Sequence, residues 1–556
     1  MGISVRGAAK NSWFLNTSTA ISVASLIVAA FVVATTLYGV VRFYSPIIWF
    51  DEWDGYLGFY LSTLGNLGLQ PWWEPHVEHR IITSRVLYWL DLRYFHGAHV
   101  ILFGAEQLGL AGIVIVVMRA YTDGRARVDR IAWVIGIGAA LMFSWVQSEI
   151  LKWGFETCVV LAYFFATSAA YLFTRDKITP PKRLGLAFTF AALSEFSMGN
   201  GIGAPVMLAM LSILMRRSRQ EIVASGCAAI ILVASYMIGY SKPPPNPLAI
   251  TPTLNSMAEF LVVFLGNPLF FIGAPVWACA AMGFFTLVGS CWIGVHVYLT
   301  RQVTPYRAFL FGLILFVFAS GAAATIGRSP GGIMAAIESR YTTGPLLGWL
   351  ALALLAFDVS LTAVAQTCIM LVSVVISAVI ALSQGGARAD NAYLYDWKLG
   401  LLGQRIGLDH KEYSGQLFPL EIHSRFVRNA NLAADLKLGI YGQPWLHDAG
   451  LVKFDSTLGD DGMCRGYIDT VKPNALGATV GGWAVADQSK DLLIVLTDDT
   501  GKTVGYGVTG ARRSDVTALI PSAPATSGWV GFASQSTSLR AYVYSAGHFC
   551  KLGISR

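Results

Sequence analysis

Charged residues are scarce in this sequence of 556 residues, in which Asp, Glu, Lys and Arg together make up only 13%. Soluble globular domains usually contain about 25% of these residues. Hydrophobic residues account for 54% of the chain, and its mean hydropathy is +0.55. This composition excludes a soluble cytosolic enzyme.

A signal-peptide cleavage site is also lacking after the first apolar segment. That segment covers about residues 21–44 and follows Arg6 and Lys10, and no small-residue motif comes after it at the distance typical of cleavage. We therefore expect this segment to remain in the chain as a membrane anchor.

Long apolar runs recur up to residue 383. A helix needs about 20 apolar residues to cross a hydrocarbon core of about 30 Å. Eleven spans are predicted, near residues 21–44, 99–119, 131–147, 157–173, 184–198, 201–215, 222–240, 275–299, 308–325, 342–357 and 361–383. The apolar segment 259–273 is interrupted by Gly266, Asn267 and Pro268, so we expect it to be re-entrant or interfacial. The predicted fold class is an α-helical polytopic membrane protein.

The distribution of Lys and Arg predicts the orientation of this domain. Fifteen of them lie in one set of segments between spans, and the opposite short loops hold only Lys152, Lys242, Arg328 and Arg340. Loops rich in Lys and Arg usually face the cytoplasm. We therefore expect a cytoplasmic N-terminus and an exported first loop at about residues 45–98. Since these charges orient the chain, the net charge of +7 does not indicate a nucleic-acid partner.

The chain becomes polar after residue 383, which predicts three domains. Residues 1–383 are predicted to form the membrane domain, 384–459 an exported region with amphipathic helices, and 460–556 an exported β-sandwich. Alternating apolar and polar residues predict strands in this last domain at 482–485, 492–496, 503–508 and 539–544. Cys464 and Cys550 bracket this last domain and are predicted to form a disulfide, as is common in exported domains. Two unpaired buried thiols are the alternative.

Three carboxylates directly follow the first span, in the sequence Phe50-Asp51-Glu52-Trp53-Asp54-Gly55-Tyr56. A carboxylate at a membrane interface is partly desolvated, which suits a proton acceptor or a metal ligand. The alternative is a solvated cluster that only ends the span.

The same loop continues with aromatic, imidazole and charged groups, namely Trp72, Trp73, Glu74, His76, Glu78, His79 and Arg80. Aromatic faces stack on sugar rings and lie well at the level of lipid headgroups, and Arg and His pair with phosphate oxygens. His76, Glu78 and His79 also have the residue types of a metal site, although this spacing is common by chance.

A later exported loop places Arg328 and Arg340 beside the start of a span, with Tyr341 next to the second arginine. Charge near a bilayer is costly, and paired arginines suit a phosphate group. The alternative is that both arginines only anchor the following helix at the interface.

These features resemble the GT-C superfamily of integral membrane glycosyltransferases, which have an acidic motif after span 1. Asp51-Glu52, with Asp54 nearby, matches that motif. Phe50–Asp54, Glu78-His79-Arg80, Trp153-Gly154-Phe155 and residues 339–343 also resemble largely uncharacterised bacterial membrane proteins grouped with these enzymes. The resemblance implies transfer of a sugar from a polyprenyl-phosphate donor to an envelope glycan, lipid or protein, with inversion, at the periplasmic side of the bacterial inner membrane.

The resemblance also implies roles for individual residues. Asp51 would be the general base, and Glu52 or Asp54 would orient the acceptor or a divalent cation such as Mg²⁺ or Mn²⁺. The donor phosphate would be bound by Arg328, Arg340, His79 and Arg80. The remaining substrate contacts would come from Trp53, Tyr56, Trp72, Trp73, His76, Glu78 and Tyr341.

Three other functions use the same features. A transporter or flippase for a lipid-linked glycan would guide the headgroup with these charges, although we find no internal repeat in the sequence and its polar residues gather at one face. A non-catalytic envelope scaffold would act mainly through the β domain. A membrane O-acyltransferase would need an intramembrane His, whereas His296 lies near the cytoplasmic end of its predicted span.

Overall fold

The computed structural model describes residues 3–65, 68–123, 130–240, 251–458, 464–486, 491–545 and 547–554. Arg125 and Arg127, two of the fifteen Lys and Arg residues used to predict orientation, lie outside these residues, as do Lys242 and the predicted domain start at Asp460. The chain forms two compact units. The helical unit consists of Met1–Tyr44, Trp72–Leu87 and Ile101–Ala389, and the mixed unit of Ser45–Pro71, Tyr88–Val100 and Asp390–Arg556. The predicted first loop therefore contributes to both units.

Helices dominate the described residues up to Ala389. In chain order, the α-helices are α1 (Ile3–Phe43), α2 (Phe59–Gly65), α3 (Gln70–Trp73), α4 (Ile82–Tyr94), α5 (Val100–Thr122), α6 (Ile131–Met142), α7 (Ser148–Lys152), α8 (Thr157–Phe173), α9 (Pro180–Glu195), α10 (Gly203–Leu214), α11 (Arg219–Met237), α12 (Leu254–Gly266), α13 (Val276–Leu299), α14 (Pro305–Arg328), α15 (Thr343–Val359), α16 (Ala363–Ile380), α17 (Tyr393–Arg405), α18 (Lys411–Ser414), α19 (His423–Asp435), α20 (Pro444–His447) and α21 (Ser514–Leu519).

Ten helices of the described residues are long and apolar enough to cross a membrane. Some of them include short 3-10 turns at their ends, and they cover Thr17–Phe43, Val100–Thr122, Ile131–Lys152, Gly154–Phe173, Arg219–Met237, Leu254–Ile272, Val276–Leu299, Pro305–Gly331, Ser339–Val359 and Ala363–Arg388. The prediction of a helical chain with many candidate spans is confirmed. This number differs from the predicted eleven, because α9 and the helix Gly199–Leu214 are shorter than this length while Leu254–Ile272, not counted among the eleven, reaches it.

The segment Leu254–Ile272 also differs from its prediction, since its length and composition make it a candidate span. Pro268 is tolerated there because it stands in the first turn of a 3-10 helix, Asn267–Ile272. The buried Asn267 side chain donates a hydrogen bond to the carbonyl of Ala336 over 3.1 Å. These two residues therefore continue the helix instead of interrupting it.

Helix ends of the helical unit gather at two faces. One face, which we call the loop face, contains Phe43, His79, Trp145, Gly199, Ile238, Asn267, Arg328, Ala336 and Ser339. The contacts that define it include the rings of Phe43 and Trp145 at 5.9 Å and the hydrogen bond from Ser339 Oγ to the Val146 carbonyl at 2.7 Å.

The opposite face of the helical unit holds ion pairs between short connections. Arg217 Nη1 lies 2.6 Å from Asp176 Oδ1, and Arg307 Nε lies 2.7 Å from Asp358 Oδ2. Arg183 pairs with Glu221. Arg183, Arg217 and Arg307, three of the cations used to predict orientation, therefore lie on the face opposite the loop face.

The tail of the mixed unit forms one eight-stranded sheet. Its strands are β1 (Arg465–Asn474), β2 (Gly477–Val485), β3 (Leu493–Thr497), β4 (Thr503–Ala511), β5 (Gly528–Ala533), β6 (Arg540–Ser545), β7 (His548–Lys551) and β8 (Gly553–Ile554). The strand order is β7-β6-β3-β4-β5-β2-β1-β8, with antiparallel pairs except β1 with β8. Leu552 alone separates β7 from β8, so the two edges of the sheet are joined. The antiparallel β domain is confirmed, but it is one curled sheet instead of the predicted two-layer sandwich.

The predicted disulfide between Cys464 and Cys550 is present, with 5.9 Å between the Cα atoms. It links the residue before β1 to the end of β7. Cys550 lies in the buried core of the sheet with Ile468, Val480 and Trp529. The other five cysteines form no disulfide.

Tyr395 of α17 joins this helix to the sheet. Its hydroxyl donates a hydrogen bond to the Val508 carbonyl at 2.7 Å and accepts one from the Val530 N–H at 2.8 Å. Gly510 has a φ of +147°, and a Cβ atom there would lie 2.5 Å from the Tyr395 ring. Glycine at this position therefore permits the ring to enter between β4 and β5.

Candidate functional site

The acidic turn, residues 50–54, lies in the mixed unit. Phe50 has a φ of +46°, and its N–H donates to the Leu417 carbonyl at 2.8 Å. The Asp51 carbonyl accepts a hydrogen bond from the Gly55 N–H at 2.7 Å. A π-helix, Trp53–Gly58, follows at once. Helices of this type are rare and occur frequently at functional sites.

The three carboxylates of the acidic turn have different surroundings. Glu52 is only 1% exposed, and its Oε2 accepts a hydrogen bond from the Trp49 N–H at 2.9 Å. Asp54 Oδ2 lies 2.9 Å from Arg425 Nη1 at the surface of the mixed unit. Asp51 is partly exposed. Asp51 and Asp54 are therefore the carboxylates of the turn that solvent can reach, and Asp54 is paired with Arg425.

A buried polar network lies behind the acidic turn. Asp91 Oδ2 accepts hydrogen bonds from the Tyr56 hydroxyl at 2.6 Å and from the His99 N–H at 3.0 Å. His99 Nδ1 lies 3.9 Å from Glu52 Oε1. Burial raises the pKa of Asp91 to about 6, although the bonds from Tyr56 and His99 act in the other direction. Burial lowers the pKa of His99 to about 4.

Trp53 and Tyr56 are interior residues of the mixed unit, 0% and 1% exposed. The Trp53 ring meets Phe426 edge to face at 4.6 Å, and the Trp53 carbonyl accepts a hydrogen bond from Asn429 Nδ2 at 2.8 Å. Burial of this kind favours a packing role over the predicted contact with a sugar ring.

The predicted residues 72–80 form a compact group at the loop face of the helical unit. His76 and His79 exchange main-chain hydrogen bonds of 2.7 and 2.8 Å around Val77, which has a φ of +51°. The His76 ring meets Phe155 edge to face at 5.3 Å. A Cβ atom at Gly199 would lie 2.5 Å from His79 Nδ1, so glycine is needed for this approach.

Arg80 is held by main-chain carbonyls. Its guanidinium donates to the carbonyls of Tyr236 (2.6 Å), Trp73 and Ile238, and it lies 4.7 Å above the Trp73 ring. The side chain is 1% exposed. These bonds favour a structural role for Arg80 over the predicted contact with phosphate. The Trp72 carbonyl is similarly occupied, accepting from Arg85 at 3.0 Å.

Arg328 and Arg340 both pair with carboxylates. Arg328 pairs with Glu78, which also lies 3.4 Å from His79 Nε2. Arg328 remains 41% exposed, so a ligand can reach it.

Arg340 lies among three carboxylates of the helical unit. Its guanidinium is 2.5 Å from Glu338, 3.5 Å from Glu149 and 3.8 Å from Glu156. The guanidinium also lies 5.6 Å from the centre of the Tyr341 ring. An anionic ligand would meet more negative than positive charge here, so Arg328 is the better phosphate contact of the two.

The structure thus divides the predicted residues between the two units. Asp51, Glu52, Trp53, Asp54 and Tyr56 belong to the mixed unit, while the other predicted contacts and all four predicted phosphate-binding residues belong to the helical unit. In the described part of the chain, no three His, Cys, Asp or Glu side chains are gathered as ligands of a metal ion. Binding of a divalent cation by Asp51, Glu52 or Asp54 stays a prediction.

Sequence reasoning missed four residues around the acidic turn: Asp91, His99, Arg425 and Asn429. They lie 35 or more positions away from their partners in the turn and in the π-helix that follows it, and only the fold brings them near.

Sequence reasoning also missed Glu195 at the end of α9, which is 0% exposed and whose two carboxylate oxygens have no hydrogen-bond partner among the described residues. A buried carboxylate near the end of an apolar run was the one available signal.

Comparison of the chain with protein-family models, with curated proteins and with solved structures gave no significant match.

Proposed function

We propose that this protein is an inverting glycosyltransferase that moves a sugar from a polyprenyl-phosphate donor to an envelope glycan, lipid or protein. The observation that carries the proposal is the acidic turn. Asp51 is accessible within a turn that is fixed by Glu52, by a π-helix and by a buried network. Such a fixed, partly exposed carboxylate suits a general base, which must be held within hydrogen-bond distance of the proton it accepts.

In the proposed reaction, Asp51 accepts the proton of an acceptor hydroxyl while that oxygen attacks the anomeric carbon of the sugar. A new bond forms between the acceptor oxygen and this carbon. The bond from the carbon to the donor phosphate oxygen breaks on the opposite side, and the phosphate leaves with the electron pair. The leaving phosphate needs positive charge more than it needs a proton. Within the helical unit, Arg328 is the proposed contact for a phosphate group, because it is the more accessible of the two loop arginines.

The proposal places the loop face of the helical unit at the periplasmic side of a bacterial inner membrane. The opposite face supports this orientation, since Arg183, Arg217 and Arg307 pair with acids there. Segments rich in Lys and Arg usually stay in the cytoplasm. A lipid-linked donor fits a reaction at the exported side, where soluble nucleotide sugars are scarce. Contact with membrane lipids follows from the ten candidate spans.

The test is the sugar composition of envelope glycans, measured by mass spectrometry in the native host. The gene is deleted and then restored as wild type, as Asp51→Asn and as Asp435→Asn, all at equal membrane abundance. Asp435 is an exposed acid of the same unit and serves as the matched control. We expect the deletion to remove a sugar that wild type and Asp435→Asn restore and Asp51→Asn does not. Restoration by Asp51→Asn would refute the proposed chemistry.

A flippase for a lipid-linked glycan is the second candidate, and Glu195 is the observation that favours it. Ionisable residues buried in apolar helices often mark transport pathways. In that case Glu195→Gln would abolish the glycan, Asp51→Asn would not, and the unmodified lipid-linked sugar would accumulate at the cytoplasmic side. The transferase predicts accumulation of the donor at the exported side in the Asp51→Asn strain.

A further inference from the structure

We infer that Asp91 and His99 are positioning residues, which act through Tyr56 and Glu52 to hold the acidic turn with Asp51 accessible. The inference rests on the proposed function of Asp51. Neither residue belongs to the sequence motif, and both lie in the mixed unit with the turn.

Asp91 joins three separate segments of this unit. It belongs to α4, and its Oδ2 accepts hydrogen bonds from the hydroxyl of Tyr56 in the π-helix and from the main-chain N–H of His99 just before α5. The Asp91 carbonyl accepts a further hydrogen bond from the Gly97 N–H at 3.0 Å. The side chain of Tyr56 therefore ties the π-helix to α4 and to the connection that follows it.

His99 completes the network on the side of Glu52. Its ring meets the Tyr56 ring edge to face at 5.0 Å, and its Nδ1 approaches Glu52 Oε1. Glu52 in turn accepts the Trp49 N–H through its other oxygen. A chain of contacts thus connects Asp91 to the main chain on both sides of Asp51.

This arrangement is costly, which indicates a function beyond packing. Asp91, His99, Glu52 and Tyr56 are each 0–2% exposed, and burial of ionisable groups is unfavourable. Asp91 Oδ1 and His99 Nε2 have no hydrogen-bond partner among the described residues. Phe50 and His99 both have a positive φ, a backbone conformation that residues other than glycine rarely adopt. Such local strain clusters at active sites and ligand clamps.

Apolar side chains of equal volume in place of this polar network would also stabilise the fold. The polar network instead fixes directions, because hydrogen bonds from Tyr56 and His99 to one oxygen define the orientation of both segments. An acid–base residue needs such fixed geometry, since small displacements of the reacting groups greatly reduce rates. We therefore assign to Asp91 a role that acts through Tyr56 and not by contact with substrate.

The experiment compares hydrogen–deuterium exchange and glycan formation for full-length variants in lipid nanodiscs and in the host. Asp91→Ala removes the acceptor for Tyr56 and His99, whereas Asp91→Asn keeps an oxygen in that place. Arg93→Ala alters an exposed residue of the same helix and is the matched control. Tyr56→Phe removes only the phenolic donor and serves where Asp91→Ala does not accumulate.

We expect Asp91→Ala, or Tyr56→Phe, to raise exchange severalfold in residues 49–58 while strands β1 to β6 keep their protection. Glycan formation should fall at equal abundance, and Asp91→Asn should restore both properties. Unchanged exchange in residues 49–58, or a rise throughout the mixed unit, would overturn the inference. Normal glycan formation despite increased local exchange would also overturn it. If Asp51→Asn alone leaves glycans intact, the proposed function fails, and the exchange result still decides whether Asp91 holds the turn.

Discussion

The main-chain N–H of His99 donates a hydrogen bond to Asp91 Oδ2 over 3.0 Å, so two buried ionisable residues lie next to each other in the mixed unit. Burial acts on them in opposite directions. It raises the pKa of Asp91 to about 6 and lowers the pKa of His99 to about 4. Both residues lie outside the candidate spans.

These shifts predict opposing effects of pH on stability. The stabilising contribution of Asp91 is complete below its unfolded pKa of about 3.9 and is lost as the pH rises through about 6. The contribution of His99 is complete above its unfolded pKa of about 6.5 and is lost as the pH falls through about 4. Each effect is on the order of 3 kcal/mol. Between pH 4 and 6 they nearly cancel in the wild type.

Single substitutions should separate the two effects. Asp91→Asn leaves the His99 contribution, so the variant should lose stability faster than wild type as the pH falls from 6.5 to 4. His99→Asn, which tolerates the positive φ, should lose stability as the pH rises from 4 to 6. Thermal unfolding of the detergent-solubilised full chain at several pH values measures this, with Asp435→Asn as control. Parallel curves for all four proteins would contradict the prediction.

Arg80 and Arg328 should respond differently to substitution, although both were predicted to bind phosphate. Arg80→Ala leaves one buried and two partly buried carbonyls without their donor and should cost roughly 3 kcal/mol. Arg328→Ala removes an exposed partner of Glu78 and should change stability by less than about 1 kcal/mol.

Size-exclusion profiles of fluorescently tagged variants, followed by glycan analysis, distinguish these outcomes. Arg80→Ala should give less folded protein, with glycan lost in proportion. Arg328→Ala should keep the folded yield and reduce the glycan. The reverse pattern would make Arg80 the phosphate contact and Arg328 an anchor.

The disulfide between Cys464 and Cys550 should stabilise the β domain substantially. It closes a loop with a sequence separation of 86 residues, for which the loss of chain entropy in the unfolded state predicts about 4 to 5 kcal/mol. Cys464→Ser with Cys550→Ser, or reduction of the wild type, should lower the unfolding temperature of this domain. Cys227→Ser changes a free, exposed cysteine and should have no such effect. An equal response of the two variants would contradict this assignment.

The sequence predicted best those elements that depend on local pattern. Long apolar runs predicted the helices, and alternation predicted β2, β3, β4 and β6. The strand β1 was not predicted, because its second half, from Asp469, is exposed on both faces and shows no alternation. The strand β5 was not predicted either, because it is short, begins with Gly528 and is held in the sheet by pairing with its neighbouring strands. The single curled sheet could not be predicted, since it depends on how Leu552 joins two distant edges.

The site was less predictable than the fold for a similar reason. Asp51, Glu52 and Asp54 stand out because they are adjacent and follow an apolar span. Asp91 and His99 lie in a stretch without a chemical motif, and their importance comes from burial and from their contact with Tyr56 and Glu52. The sequence also does not show that the Arg80 guanidinium is buried and hydrogen-bonded to three carbonyls, whereas Arg328 stays accessible.

The proposed orientation of the helical unit makes a direct prediction about labelling. Val77 at the loop face is 54% exposed, and Arg301 is an exposed residue beside the opposite face. In a background with the five cysteines outside the disulfide changed to Ser, Val77→Cys should react with a membrane-impermeant maleimide applied to spheroplasts, because the proposal exports its loop. Arg301→Cys should react only after lysis. Labelling of Arg301→Cys and protection of Val77→Cys in closed spheroplasts would invert the topology and remove the basis for a donor at the exported side. Equal labelling of both before lysis would indicate leaky spheroplasts, which a cytosolic marker protein detects in the same sample.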